Sequence, residues 1–298
     1  MKRALFAPEA RAGVLFLIPA LTLITIFYFI PVIAGFLLSL TDFDIYSLGS
    51  LANTRIVGAT NYSELLHNVV FWQAMRNTLY FSVIGGPLTI VVALGTALLL
   101  NAKVALLKPL FRTVYFAPVV TTIVAVAIVW RYMYHPRVGL LNQFLALFGA
   151  SPIDWLGEAR WAMPAVILLS VWKNFGYATI IFIAGLQSAP EELYEAARID
   201  GAGTVRQFWH VTLPVLGPTF VFVSVITAIG YLQLFAEPYV MTPDGGPLNS
   251  TLSIVMLMYR EGFRWWNMGY AASIAAILFV LVVGGTSLQA LIRRRREA

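Results

Sequence analysis

Six long apolar runs constrain the fold of this chain more than any other feature of its sequence. Each run is long enough to cross a bilayer as a helix, because the hydrocarbon core needs about 20 helical residues. With 59% hydrophobic and only 11% charged residues, the composition lies outside the range of an ordinary soluble domain. The sequence therefore predicts an all-α membrane protein with six transmembrane helices. The runs lie near 13–40, 78–100, 113–130, 161–186, 213–236 and 269–292.

Lys and Arg residues are distributed unevenly among the segments that flank these runs. Twelve of the 20 lie in four short segments, whereas seven lie in three longer ones. Because cytoplasmic loops are enriched in positive residues, the short segments are predicted to be cytoplasmic, and both termini with them. The net charge of +6 then reflects orientation in a membrane, and we expect no nucleic-acid partner. The predicted cytoplasmic segments are 1–12, 101–112, 188–212 and 293–298.

The common catalytic and metal-binding patterns are missing from the sequence. There is no cysteine, and the histidines His67, His135 and His210 are scattered, so we expect no metal centre. No lysine follows a glycine as it does in a nucleotide-binding loop, and no carboxylate pair shares one apolar run. We therefore predict that the chain is not an enzyme and has no catalytic residue and no bound cofactor.

A polar loop between the fourth and fifth apolar runs has the marks of a folded element. Ser188 and Glu191 have the spacing of a capping box, and a first helical turn tolerates Pro190. A helix is therefore predicted to begin at Ala189. Gly201 is predicted to end this helix, because glycine adopts the left-handed conformation without steric cost.

A second short helix is predicted to follow, because Thr204 and Gln207 repeat the capping spacing before Pro214. On the first helix, four residues share one face, and its central alanines let another backbone approach closely. Two interpretations stay open from these residues alone: the loop covers its own bundle, or it docks on another protein. The four residues are Leu193, Ala196, Ala197 and Asp200.

Lys173 is the one clearly ionisable residue inside an apolar run. A charge at this depth is costly and usually faces a polar cavity or a partner, so Lys173 is a candidate for solute contact. Snorkelling, or a structural pair with a carboxylate of another subunit, is the alternative. Neutral polar residues nearby suit a polyhydroxylated solute, and two aromatic rings either stack on a sugar or fill the core. These polar residues are Asn174, Tyr177, Thr227, Tyr231 and Gln233, and the rings are Trp172 and Phe175.

The polar loop also carries a longer pattern with fixed spacing. Glu195-Ala196-Ala197, three residues, Gly201, nine residues, Val211, one residue and Leu213-Pro214 resemble the EAA loop of ATP-binding-cassette importer permeases. The family more often has Ile at the position of Val211. Further motifs resemble carbohydrate-importer permeases of the maltose and glycerol-phosphate type over about residues 73–290. These motifs are 76–79, 111–118, 130–142, 185–187, 242–247 and 259–263.

The resemblance implies a MetI-like bundle that serves as one permease subunit of an ATP-driven, binding-protein-dependent importer for a sugar or sugar-like solute. It implies an N-terminal part over 1–72, a permease core over 73–290 with the coupling loop 188–214, and a basic tail over 291–298. The residues that would couple to the ATPase are Glu195, Ala196, Ala197, Asp200, Gly201, Leu213 and Pro214. The residues that would line the solute path are Trp172, Asn174, Gly176, Tyr177, Thr227, Tyr231 and Gln233.

The implied partners divide the work of transport among several chains. They are a second homologous permease, two copies of a cytoplasmic ATPase that holds ATP and magnesium, an extracytoplasmic solute-binding protein, and the lipid bilayer. The implied location is the cytoplasmic (inner) membrane of a bacterium or archaeon. The alternative functions are a stand-alone secondary transporter or channel, which would usually have several ionisable residues in its spans, and a membrane-embedded enzyme. The sequence does not distinguish a sugar from a glycerol-phosphate-like solute.

Overall fold

The computed structural model describes residues 8–50, 53–101 and 108–297, and most of these residues are helical. The apolar runs form helices because a backbone in hydrocarbon must satisfy its own polar groups. Contacts divide the chain into two compact units, which are described separately below. The basic residues Lys2, Arg3 and Lys103 lie outside the described residues, as do the side chains of Arg293–Arg296.

The first unit contains residues up to Asn68 together with Met258–Phe279. Its loop and helices are held together by amide and backbone groups. The Asn61 side chain donates to the carbonyl oxygens of Ser39 and Thr41 at 2.9 and 2.8 Å. The Asn68 side chain donates to the Tyr270 hydroxyl at 3.1 Å. The helices of this unit are α1 (Pro8–Ile24), α2 (Ile30–Leu38), α3 (Thr60–His67) and the first part of α15 (Met268–Glu297).

The second unit contains Val69–Leu257 and the residues from Val280 onward. Two long helices, α4 and α8, pack along each other and form its centre. One hydrophobic cluster surrounds the buried Phe81, Tyr134 and Leu169, and another surrounds Phe182 and Leu216. The helices of this unit are α4 (Val69–Asn101), α5 (Lys108–Val120), α6 (Ile123–Met133), α7 (Leu140–Ala146), α8 (Ala159–Gln187), α9 (Glu191–Ile199), α10 (Thr204–Gln207), α11 (Leu213–Val215), α12 (Gly217–Leu232), α13 (Ala236–Met241) and the part of α14 (Ile254–Tyr259) up to Leu257.

Five described helical stretches are long and apolar enough to cross a membrane, and a bent pair makes a sixth if it counts as one span. The prediction of an all-α membrane fold is therefore confirmed. The third run, predicted over 113–130, forms two helices, Thr113–Val120 and Ile123–Met133, that meet at an angle of 107°. The five stretches are Gly13–Leu38, Val69–Asn101, Ala159–Gln187, Gly217–Met241 and Met268–Ser287.

Two prolines within the helices are preceded by widened turns. A π-helical turn covers Thr25–Phe29 before Pro31, and another covers Phe208–Thr212 before Pro214. A proline ring clashes with the carbonyl four residues earlier, and a wider turn moves that carbonyl away. Both helices therefore continue through proline without ending, and the second one connects the polar loop to α12.

Candidate functional site

A cavity of about 500 Å³ lies among α4, α8 and α12 in the second unit. Asn174, Tyr177, Thr227, Tyr231 and Gln233, all predicted for the solute path, line this cavity together. We call it the Tyr231 cavity. Its polar groups are neutral hydroxyls and amides, with one carboxylate among the lining residues. The lining also includes residues that were not predicted for the path from the sequence. Among them are Phe81, Thr89, Phe235 and Glu237.

Tyr231 is fixed in the wall by contacts with α4. Its ring stacks on Phe81 with 4.8 Å between the ring centroids, and its hydroxyl forms a hydrogen bond with the Thr89 hydroxyl. Gly85 makes this arrangement possible, because a Cβ there would lie 2.5 Å from Cε1 of Tyr231. The ring therefore occupies the space that a side chain at position 85 would fill. The small residues Gly85 and Gly86 within an apolar run are the sequence signal that marks this close approach.

Two residues predicted for the path do not line the Tyr231 cavity. Gly176 packs against α5, and a Cβ there would lie 2.0 Å from the carbonyl oxygen of Tyr115. Trp172 lies against Trp130, with 5.5 Å between the ring centroids. Gly176 thus permits two helices to pack closely, and Trp172 belongs to an aromatic contact between α6 and α8.

Lys173 is bound to the break between α5 and α6. Its ammonium group donates to the carbonyl oxygens of Pro118 and Thr121, each at 3.1 Å. Thr122, which precedes α6, has an extended backbone, so the helical hydrogen-bond ladder is interrupted here. A structural role within this chain therefore fits Lys173 better than the alternatives of snorkelling or pairing with another subunit.

The polar loop forms the helical hairpin expected of it, which we call the coupling hairpin (188–214). Its first helix, α9, begins at Glu191 and not at Ala189. The predicted capping box is wrong, because the Ser188 hydroxyl donates back to the carbonyl of Gly185 at 2.8 Å. Ser188 thus ends the preceding helix α8, and Pro190 occupies the position before the first turn of α9.

Gly201 ends α9 in the left-handed conformation, with φ +74°. The N–H of Ala202 donates to the carbonyl of Ala197 at 2.8 Å, and the N–H of Gly201 donates to the carbonyl of Arg198 at 3.0 Å. These two bonds are the Schellman pattern, which uses carbonyls that the helix leaves unpaired. The predicted stop at Gly201 is therefore confirmed.

The second half of the coupling hairpin leads directly into the membrane. It consists of α10, the π-helical turn Phe208–Thr212 and α11, and α12 begins at Gly217. The Tyr194 hydroxyl donates to the Thr212 hydroxyl at 3.2 Å and so connects the two halves. A short path that includes this hydrogen bond therefore connects α9 to the start of α12.

The coupling hairpin exposes large apolar side chains. Ile199 is 87% exposed, Val205 71% and Trp209 59%. A loop that only covered its own bundle would bury such residues, so the docking interpretation fits this surface better. Of the predicted coupling residues, Glu195, Ala196, Asp200, Gly201 and Pro214 are exposed, and Ala197 and Leu213 are half-buried. Their contact with an ATPase stays a prediction.

A separate cavity of about 430 Å³ lies within the first unit, and the sequence analysis did not anticipate it. Its wall includes Asp42, Asp44, Glu64 and Glu261. The backbone N–H of Arg55 holds the pKa of the Asp42 carboxyl below its usual range, with help from the ion pair between the two side chains at 3.1 Å. Burial raises the pKa of the Glu261 carboxyl above its ordinary value.

Residues 85–298 match the family model described as binding-protein-dependent transport system inner membrane component. The chain belongs to this family. It is thus a multi-pass membrane permease subunit of a transporter that works with a solute-binding protein, and it is not an enzyme. The prediction of an importer permease is confirmed. The residue assignments and the boundaries 1–72, 73–290 and 291–298 stay predictions.

Relatives of similar length are found among transport permeases. A probable ABC transporter permease protein of Bacillus subtilis is 36% identical over 92% of this chain and 93% of its own length. The lactose transport system permease protein of Rhizobium radiobacter is 35% identical over 96% of this chain and 95% of its own length. An arabinooligosaccharides transport system permease protein of Bacillus subtilis is 34% identical over 94% and 88%.

The fold is also that of a solved permease chain. A chain of a bacterial alginate ABC transporter, crystallised with an alginate pentasaccharide-bound periplasmic protein, superimposes with a TM-score of 0.79. It shares 22% sequence identity, and the match covers 96% of this chain and 95% of that one. At this identity the likeness establishes the helical permease fold and not the solute.

Proposed function

We propose that this chain imports a neutral sugar or sugar-like solute as one of two homologous permeases in an ATP-driven transporter of a bacterial or archaeal cytoplasmic membrane. The observation that carries the solute class is the Tyr231 cavity, which combines aromatic rings with neutral hydrogen-bonding groups. Relatives named for lactose and arabinooligosaccharides support the same class. The second permease supplies the other half of the path.

The chemistry of the cavity wall suits a polyhydroxylated molecule. Asn174, Thr227 and Gln233 offer both donors and acceptors without a fixed charge. The ring of Tyr177 is 51% exposed, so one of its faces is available for stacking on the apolar face of a sugar. Glu237 adds an acceptor for hydroxyl groups, and the described residues along this wall include no arginine or lysine that would bind an anionic solute. The wall therefore favours neutral saccharides over phosphate esters.

Movement of the ATPase reaches this cavity through the coupling hairpin. The proposed joint is the side of α9 around Ala196, Ala197 and Gly201. It lies on the cytoplasmic side of the membrane and binds one of the two ATPase copies. The ATPase supplies the ATP and magnesium chemistry. Closure of the two copies shifts the hairpin, and Leu213 and Pro214 pass that shift to α12, whose residues Thr227 and Tyr231 line the cavity.

Purification of the intact complex tests this proposal. The chain, isolated in mild detergent from its own host, should bring with it an ATPase and a second permease. In liposomes, ATP hydrolysis should rise when a solute-binding protein loaded with a neutral oligosaccharide is added. A chain that purifies alone and moves solute without ATP would instead be a stand-alone secondary transporter or channel, and the proposal would be wrong.

A further inference from the structure

Helix α7 carries an apolar stripe on its outside. Leu140, Phe144, Leu147 and Phe148 follow one another at helical spacing, and each is between 61% and 80% exposed. The rings of Phe144 and Phe148 pack edge to face with 5.1 Å between their centroids. Four large apolar side chains therefore form one continuous surface on a helix and its last turn, which is more than scattered exposure explains.

The opposite side of α7 is fixed to the rest of the second unit. The Asn142 amide donates to the carbonyls of Pro136 and Ile153 at 3.0 and 2.8 Å. Its oxygen accepts from the Ile153 N–H at 3.1 Å and from the Trp155 indole at 3.0 Å. Leu141 packs against the cluster that contains Tyr134. Because Asn142 is buried and fully bonded, α7 cannot rotate to hide the stripe.

The position of α7 in the chain places it at a membrane surface. It lies between Met133, where the bent pair ends, and Ala159, where α8 begins. Both residues lie near the ends of segment 131–160, which the distribution of Lys and Arg predicts to be on the outer side. On the neighbouring α6, Val129 is 57% exposed, so the apolar exterior continues from the span toward the stripe. A short helix that directly follows a span on this side is expected near the boundary between hydrocarbon and headgroups.

The charges of this segment also suit a lipid surface. From Arg131 to Ile153 the sequence contains no Asp or Glu, whereas Arg137 is exposed just before α7. An arginine at this depth can contact a lipid phosphate with its guanidinium group while its methylene groups lie against apolar surface. We propose that α7 is an interfacial anchor whose stripe is inserted into the outer leaflet, with Arg137 at the phosphate level.

Spin labels at two neighbouring positions test the anchor directly, since the chain has no native cysteine. Leu147→Cys places a label on the stripe, and Ala146→Cys places one on an exposed part of the helix off the stripe. Both are introduced into the full chain, assembled with its partners in liposomes of neutral and anionic phospholipid. Collision rates are then measured with oxygen, which enters hydrocarbon, and with a water-soluble nickel chelate.

The anchor predicts that the oxygen-to-nickel ratio is several-fold higher at position 147 than at position 146. Nickel access at both positions would mean that water covers the stripe, and the proposal would fail. Exclusion of both reagents from position 147 would mean that a second permease or the binding protein covers it, which would equally overturn the proposal. A second variant, Phe144→Ser with Phe148→Ser, should lower the ratio at position 147 toward that at 146. None of these outcomes depends on the transported solute.

Discussion

The coupling hairpin and the wall of the Tyr231 cavity are built on opposite principles. The wall is a closed set of contacts: Tyr231 fits into the space left by Gly85, stacks on Phe81 and bonds to Thr89. The hairpin is connected internally by its backbone and presents residues such as Ile199 to the outside. The contacts of Tyr231 are thus all made within one chain, whereas large apolar side chains on the hairpin make few contacts within it.

This difference separates two kinds of mutational effect. A change in the wall disturbs the folded chain itself, so both stability and transport should fall. A change on the hairpin surface removes contacts with another protein, so transport should fall while the chain stays as stable as before. Measuring unfolding and uptake on the same variants therefore tests the comparison.

The largest effect on uptake is expected from Gly201→Val. A β-branched residue at φ +74° carries a strain of about 1–2 kcal/mol, so the turn relaxes and α9 changes direction relative to α10. Uptake should fall by about five- to thirtyfold, the factor that corresponds to a strain of this size. Radiolabelled solute uptake into vesicles, with co-purification of the partners as the measure of assembly, provides the test.

Two controls make the Gly201 result specific. Gly201→Asn should keep most of the uptake, because asparagine tolerates the left-handed conformation and no atom lies within 4 Å of a Cβ at this position. Gly203→Val lies at φ −68°, where a side chain causes no such strain. Equal uptake in the Gly201→Val and Gly201→Asn variants would show that the direction of α9 is not what matters.

Gly85→Ala is expected to have the next largest effect. Its Cβ would meet the Tyr231 ring at 2.5 Å, so the ring must leave its stack on Phe81 and its bond to Thr89. Overpacking of this kind costs about 1–3 kcal/mol, and both thermal stability in detergent and uptake should decrease. Gly86→Ala is the matched control, because its nearest neighbour would be Thr227 at an ordinary 3.8 Å. Similar losses in the two variants would contradict the packing argument.

Lys173→Met removes the donors at the break between α5 and α6 but keeps an apolar stem. The carbonyls of Pro118 and Thr121 lose their partner, at a cost of about 1 kcal/mol. The melting temperature should fall by a few degrees, in proportion to that cost. Lys173→Arg retains donors and should be closer to the native chain. If Lys173 instead bound solute, Lys173→Met would lower uptake without lowering the melting temperature.

The hydrophobic pattern predicted the membrane fold, and the conformational freedom of glycine predicted the stop at Gly201, because both depend on local chemistry. The start of α9 at Glu191, two residues after the predicted Ala189, could not be predicted in the same way. Ser188 lies between two helices, and its hydroxyl bonds to the helix before it. The size of the bend between α5 and α6 could not be predicted either, because the partner Lys173 lies about 50 residues away in the sequence. Tyr231 was predicted for the path, but its partner Thr89 is 142 residues away.

The smallest effect on stability is expected from Ile199→Ala. The side chain is 87% exposed, so its removal should change the free energy of unfolding by less than about 0.5 kcal/mol. Ile183→Ala is the matched comparison on the adjoining helix α8, where the side chain is 5% exposed and its loss should cost about 2–5 kcal/mol. Binding of the ATPase should show the opposite order, with the larger loss in the Ile199→Ala variant. Ile199→Ala should weaken co-purification of the ATPase although the permease itself unfolds at the native temperature. If Ile199→Ala lowers the melting temperature as much as Ile183→Ala does, the hairpin surface is packed within this chain, and the division between a self-contained wall and a partner-dependent hairpin does not hold.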